Sequence, residues 1–123
     1  MLDFEHAIPH DAVIQEICID RTNPGDNDCI SLTLLMQDDS KHKLLFTDVY
    51  HAQLDLNFGI VAEESIQTVF LEENNIKITE IRGIWKNLGV DIDDLKCYIL
   101  LTNSTNSTIK IYARNFLLEN LDK

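Results

Sequence analysis

"YHAQLDLNF", residues 50–58, carries the cleanest alternation in the chain. Tyr50, Ala52, Leu54, Leu56 and Phe58 fall on one side at period two, and His51, Gln53, Asp55 and Asn57 on the other. Successive side chains of a strand point to opposite faces, so this spacing predicts a strand with one apolar and one wet face. The preceding "KLLFTDV" (43–49) reads as a strand of its own, and Gly59 ends the pattern on the far side.

Further strands follow from the same rule. In "CISLTLLM" (29–36), Ile30, Leu32, Leu34 and Met36 alternate with Ser31 and Thr33. "AVIQEICID" (12–20) sets Val13, Ile17 and Ile19 on one side and Ile14 and Cys18 on the other, so both faces are expected to be partly covered. "SIQTVFLEE" (65–73), "LKCYILLT" (95–102) and "STIKIYARNFLLE" (107–119) complete the set. "PGDND" (24–28) and "QDDSKH" (37–42) are turns. The register changes only in "IKITEIRGIWKNLG", where Ile78, Ile81, Ile84, Trp85 and Leu88 recur at helical spacing before Gly89, a residue suited to the left-handed C-terminal position. Gly83 weakens that helix by about 1 kcal/mol against alanine. The expected fold is mainly β (α+β): one domain, residues 1–123, forming an antiparallel sandwich or strongly curved sheet of about seven strands, with one helix near residues 77–88.

"TNSTNST" (102–108) contains two glycosylation sequons, Asn103-Ser104-Thr105 and Asn106-Ser107-Thr108. The opening "MLDFEHAIPHD" has neither the basic nor the apolar region of a secretion signal, so a cytoplasmic location is expected and the sequons reduce to a hairpin turn. No apolar run approaches the roughly 20 residues that span a bilayer. Cys18, Cys29 and Cys97 form no CxxC pair and sit in apolar runs, where buried thiols are expected.

Chemistry has few footholds. His10 and Asp11 are neighbours, and with His51 they are the only residues that suggest acid–base work in a hydrolase-type enzyme. Adjacent residues on an extended chain face opposite ways, so a structural role at the strand entrance is expected. His6 and His10 are separated by Pro9, and His51 and Asp55 lie about 13 Å apart along a strand, so neither pair makes a metal site. Phosphate, nucleophile and cofactor signatures are absent, and no cofactor is expected.

Charge is the informative feature. Residues 1–73 hold 15 acids and 3 bases, a net of −12, whereas residues 74–123 hold 6 acids and 7 bases, a net of +1, giving −11 overall. Such a field repels phosphates and argues against nucleic acid. It attracts a basic partner and speeds its approach. The acids gather at turns and strand ends, among them Asp26 with Asp28, and the candidate contacts are Asp38, Asp39, Asp55, Glu63, Glu64, Glu72 and Glu73. Glu63 and Glu64 are the best single pair, since the loop opened by Gly59 can present them freely.

"HDAVIQEICIDR", "LLFTDVYHAQLDLNFGI" and "TNSTNSTIKIYARNF" together resemble the small immunity proteins encoded beside bacterial polymorphic toxins, including contact-dependent growth-inhibition systems. The shared pattern is a His-Asp-Ala opening followed by β-hairpins with a Phe-x-x-Val-Tyr turn. The resemblance implies a cytoplasmic protein without catalysis of its own, which blocks one cognate toxin domain, often a basic nuclease. It supplies no contact residues. A small β-domain oligomer, a homodimer included, is the alternative, with charge serving solubility.

Overall fold

The computed structural model describes residues 3–25 and 28–122, so Asp26 lies outside the described residues. The elements are α1 (Phe4–Ala7), β1 (Val13–Asp20), β2 (Cys29–Leu35), β3 (Lys41–Asp55), β4 (Ile66–Glu72), α2 (Ile76–Asn87), β5 (Lys96–Thr102) and β6 (Thr108–Asn120). The six strands make one antiparallel sheet in the order β1-β2-β3-β6-β5-β4. Mainly β with antiparallel pairing holds; seven strands and two separate sheets do not.

The strand count drops because residues 43–49 and 50–58 do not part at a turn. β3 runs through both and stays paired with β6 along almost its whole length. The apparent break is a β-bulge: Val49 faces Ala113 and His51 faces Tyr112, leaving Tyr50 without a partner. Asp48, just before it, has φ 54°, a left-handed value that Asp tolerates better than most residues. The extra residue reverses the alternation, so Tyr50 does not share a face with Ala52 and Leu54. It packs edge-on against Trp85 of α2 instead, with ring centroids 5.1 Å apart. A bulge also bends its strand and increases twist.

The same device operates in β1. A register shift between Ile14 and Glu16 lets Ile14 and Ile17 turn to the same core, where period two had placed them apart. Cys18 is consequently exposed and Cys29 half-buried, and only Cys97 is fully buried, against the expectation for all three.

One face of the sheet holds the main core. Ile30, Leu32 and Leu34 of β2 meet Leu44 and Phe46 of β3, Tyr98 and Leu100 of β5, and Ile109 and Ile111 of β6. The sheet coils enough that its two edge strands touch at one end. The Ile14 N–H donates to the Glu64 carbonyl (2.8 Å), and the Ile66 N–H to the Ala12 carbonyl (2.8 Å). The opposite face carries α2, whose Ile78 and Ile81 pack on Cys97, Ile99 and Tyr112. Asn75 caps that helix, its side chain accepting from the Ile78 N–H (2.7 Å), and Gly89 at φ 85° follows its end. Ile84 and Leu88 share the helical spacing yet stay exposed, because Ile78, Ile81 and Trp85 are the residues of α2 that meet the sheet.

α1 has no counterpart in the sequence reading. Four residues are too few to show periodicity, and its place is set by a single side chain. Phe4 inserts between Phe46, Tyr98 and Phe116, with centroid distances of 6.1, 4.9 and 5.2 Å.

Candidate functional site

The seven acids separate into distinct groups. Asp38 and Asp39 form the turn between β2 and β3. The Asp38 carboxylate accepts from the Ser40 hydroxyl (2.5 Å) and backbone N–H (3.0 Å), which holds it below the ordinary carboxylate range. Asp39 takes φ 68° and donates its N–H to the Met36 carbonyl (3.0 Å), so the turn is fixed by the backbone. Asp39 and Glu63 line one hollow together with Asp11, Met36, Gln37 and Ser65. This rim gathers the loop before β1, the β2–β3 turn and the chain entering β4, and that convergence follows from the closure of the two sheet edges.

Glu64 is not presented freely. Its carboxylate accepts a hydrogen bond from the Thr105 hydroxyl. Because a carboxylate only accepts, the proton direction is fixed along a chain: the Asn57 N–H donates to the Ser107 hydroxyl (3.0 Å), which donates to the Thr105 hydroxyl (2.8 Å), which donates to Glu64. The "TNSTNST" segment is thus a hairpin turn, as its composition predicts. Three of its five hydroxyl residues are buried, Thr102, Thr105 and Ser107, while Ser104 is exposed.

The remaining acids lie elsewhere. Asp55 ends β3 opposite Thr108 and shares a hollow with Lys110. Glu72 accepts from the Asn75 side chain (2.9 Å), and Glu73 lines a hollow with Lys96 and Arg114. Glu63 and Glu73 flank opposite ends of β4, a separation of about 20 Å at ~3.3 Å per residue. Asp39 and Glu63, joined by Asp11, therefore share one rim, with Asp38 beside Asp39 in the same turn; Asp55 and the Glu72–Glu73 pair do not belong to it. Among the described residues, no Lys or Arg forms an ion pair with any of the seven; the pairs to such bases are Arg21–Asp28 (3.8 Å), Lys77–Glu80 (3.7 Å) and Arg114–Asp94 (2.8 Å).

His10 and Asp11 do touch, Nδ1 to Oδ2 at 3.0 Å. Asp11 has φ 70°, which abolishes the alternation that would have separated the two side chains. His51 is not brought to them. It packs on Tyr112 (5.5 Å between centroids) and lines a hollow with Asp20, Arg21, Asp28, Cys29 and Tyr50. Burial, and secondarily the charge of Lys77, lowers its pKa. The sequence sets His51 on the wet face of its strand and offers it as a companion to His10 and Asp11; the bulge beside it places it in this hollow instead.

No cluster of His, Cys, Asp and Glu among the described residues has the geometry to hold a metal ion, and no described helix is long and apolar enough to cross a membrane. No protein-family model matches this chain, and neither the curated proteins nor the solved structures contain a significant match to it.

Proposed function

We propose that this chain is a non-catalytic binding protein of the immunity type, which blocks a cognate basic toxin domain by covering its cationic surface with carboxylates. One observation carries the reading. Asp11, Asp39 and Glu63 line one hollow, with Asp38 next to Asp39 in the same turn, and among the described residues no lysine or arginine is paired with any of the four, in a chain of net charge −11. Like charges held together at a rim raise the local potential and steer a cationic partner toward it. A nuclease domain is the toxin class that fits, since its cleft is built to attract phosphates. The protein acts, on this reading, in the cytoplasm of the toxin-producing cell.

The test pairs the protein with the toxin domain encoded beside it and measures association at several salt concentrations. Replacing Asp38, Asp39 and Glu63 together by lysine should slow association about tenfold or more and flatten its salt dependence. A triple variant that associates at the native rate, with the native salt slope, and still protects cells would refute the acidic rim.

Acid–base catalysis is a second reading, favoured by the 3.0 Å contact between His10 and Asp11. The His10 side chain is largely and the Asp11 side chain partly open to solvent, and His51 lines a different hollow from the one that Asp11 shares with Ser65. Hydrolytic activity lost in His10→Gln would establish it.

A further inference from the structure

The coiled sheet leaves two openings, and the described residues fill one of them. β2 pairs with β3 over residues 41–47, and β5 pairs with β6 over residues 108–113. Past Val49, whose N–H still reaches the Asp28 carbonyl (3.2 Å), residues 51–55 of β3, like residues 115–120 of β6, are therefore paired along one side only. Beside the β6 stretch, α1 fills the opening: Phe4 seals it, and the Glu5 carboxylate accepts the Leu71 N–H (3.0 Å) on the outer edge of β4.

Beside the β3 stretch, no described element plays that part. The facing wall is β1, whose outer edge makes no backbone hydrogen bond past Ile14 among the described residues. Two hollows of 450 and 340 Å³ lie between β1 and residues 49–64. Core side chains stay half-covered along this line: Ile17, Val49, Ala52, Leu54 and Leu56. Ile19 (52% exposed), Ile60 (51%) and Phe58 (84%) flank it. The free edge, residues 16–20, contains neither lysine nor proline, the usual guards against added strands.

The charge of the walls defines the occupant. Glu16, Asp20, Asp28 and Glu64 line the two hollows against a single base, Arg21, which sits 3.8 Å from Asp28. In the smaller hollow, the buried Asp28 Oδ1 and His51 Nε2 have no hydrogen-bond partner among the described residues. Buried polar atoms are ordinarily satisfied, and an orphaned carboxylate oxygen calls for a donor.

We propose that this opening seats one extended segment of a basic protein partner, which adds to the free edge of β1, buries alternate apolar side chains against the half-covered core and places a lysine or arginine beside Asp20 and Asp28. The proposal rests on the reading of the chain as a binder of basic proteins, and it adds the seam as a second contact beside the acidic rim. A second copy of this chain is a poor occupant, because its own edge would bring Glu16 and Asp20 against like charges.

The test is an amide NMR titration of the full chain with a synthetic peptide of about ten alternating lysines and valines, a strand's length. Controls replace each lysine by glutamate, or place a proline at the centre. The lysine peptide should shift and protect the amides of residues 16–20 and bind at least about tenfold more tightly than either control. Asp28→Asn and Ile19→Lys should each weaken it about tenfold with unchanged circular dichroism. If the peptide perturbs only amides around Asp39 and Glu63, or if Asp28→Asn binds it as well as the native chain, the seam assignment falls while the acidic-rim reading stands. No binding by the native chain also overturns the seam. Concentration-dependent protection of residues 16–20 without peptide overturns it too, in favour of a second copy. A seam that binds the peptide in a chain that fails to bind or block the toxin refutes the immunity reading instead.

Discussion

Removing the Phe4 ring tests how the coiled sheet is closed. Phe4 is 1% exposed and contacts three aromatic rings, one each from the neighbouring strands β3, β6 and β5. Burying an aromatic side chain removes roughly 150–250 Å² from water, or about 4–6 kcal/mol at ~25 cal/mol per Å². Alanine retains a small part of that, so Phe4→Ala should cost about 3–5 kcal/mol, the usual range for a buried phenylalanine. There is a ceiling: α1 has four residues, and if it undocks before the sheet unfolds, the global loss cannot exceed its docking free energy. Urea unfolding measures the global term, and hydrogen exchange at the Leu71 amide measures docking, because that N–H is held by Glu5. The expected result is a large drop in midpoint together with fast exchange at Leu71. Glu5→Gln, as a control, should speed Leu71 exchange with a global loss of only about 1 kcal/mol. A Phe4→Ala protein within 1 kcal/mol of the native one would refute the claim that α1 closes the core.

Thr105→Val keeps shape but removes the hydroxyl between Ser107 and Glu64; it should cost about 1–3 kcal/mol in urea, and a neutral result would show that the relay is incidental. The lowered pKa of His51 means that the unfolded chain binds a proton more readily than the folded one. Its contribution is therefore complete above the ordinary imidazole value of about 6.5 and is lost as pH falls below it. Stability measured from pH 7.5 to 5 should decline, less so in His51→Gln, and an imidazole that titrates at or above the ordinary value would contradict this. Asn75→Ala should destabilise the protein by about 1 kcal/mol through loss of the α2 cap, read as a shifted urea midpoint, and an unchanged midpoint would show that the cap adds nothing.

Strand positions, the α2 helix and the two flanking turns were legible because each depends on neighbours a few residues away. "CISLTLLM" buries Ile30, Leu32, Leu34 and Met36 as its alternation requires. "TNSTNST" turns where its short polar side chains favour a turn. Bulges were not legible. A single extra residue at Tyr50 leaves no compositional mark, yet it joined two expected strands into one and moved Tyr50 to the helix side. The acidic candidates show the same division. Their clustering along the chain was visible, but Glu64 turned inward to Thr105, and Glu72 and Glu73 went to the far end of β4.

By itself the sequence determined a β-rich chain with one substantial helix and an acidic first part, because period, turn chemistry and charge are local or additive properties. The tertiary structure alone decided that the strands form a single coiled sheet, that Asp11 and Asp39 meet Glu63, and that one seam is sealed by Phe4 while the other stays open. Those outcomes depend on how far β2 and β5 extend along the β3–β6 ribbon and on where it bends. Both are set by packing between residues distant in the chain, which no local pattern encodes.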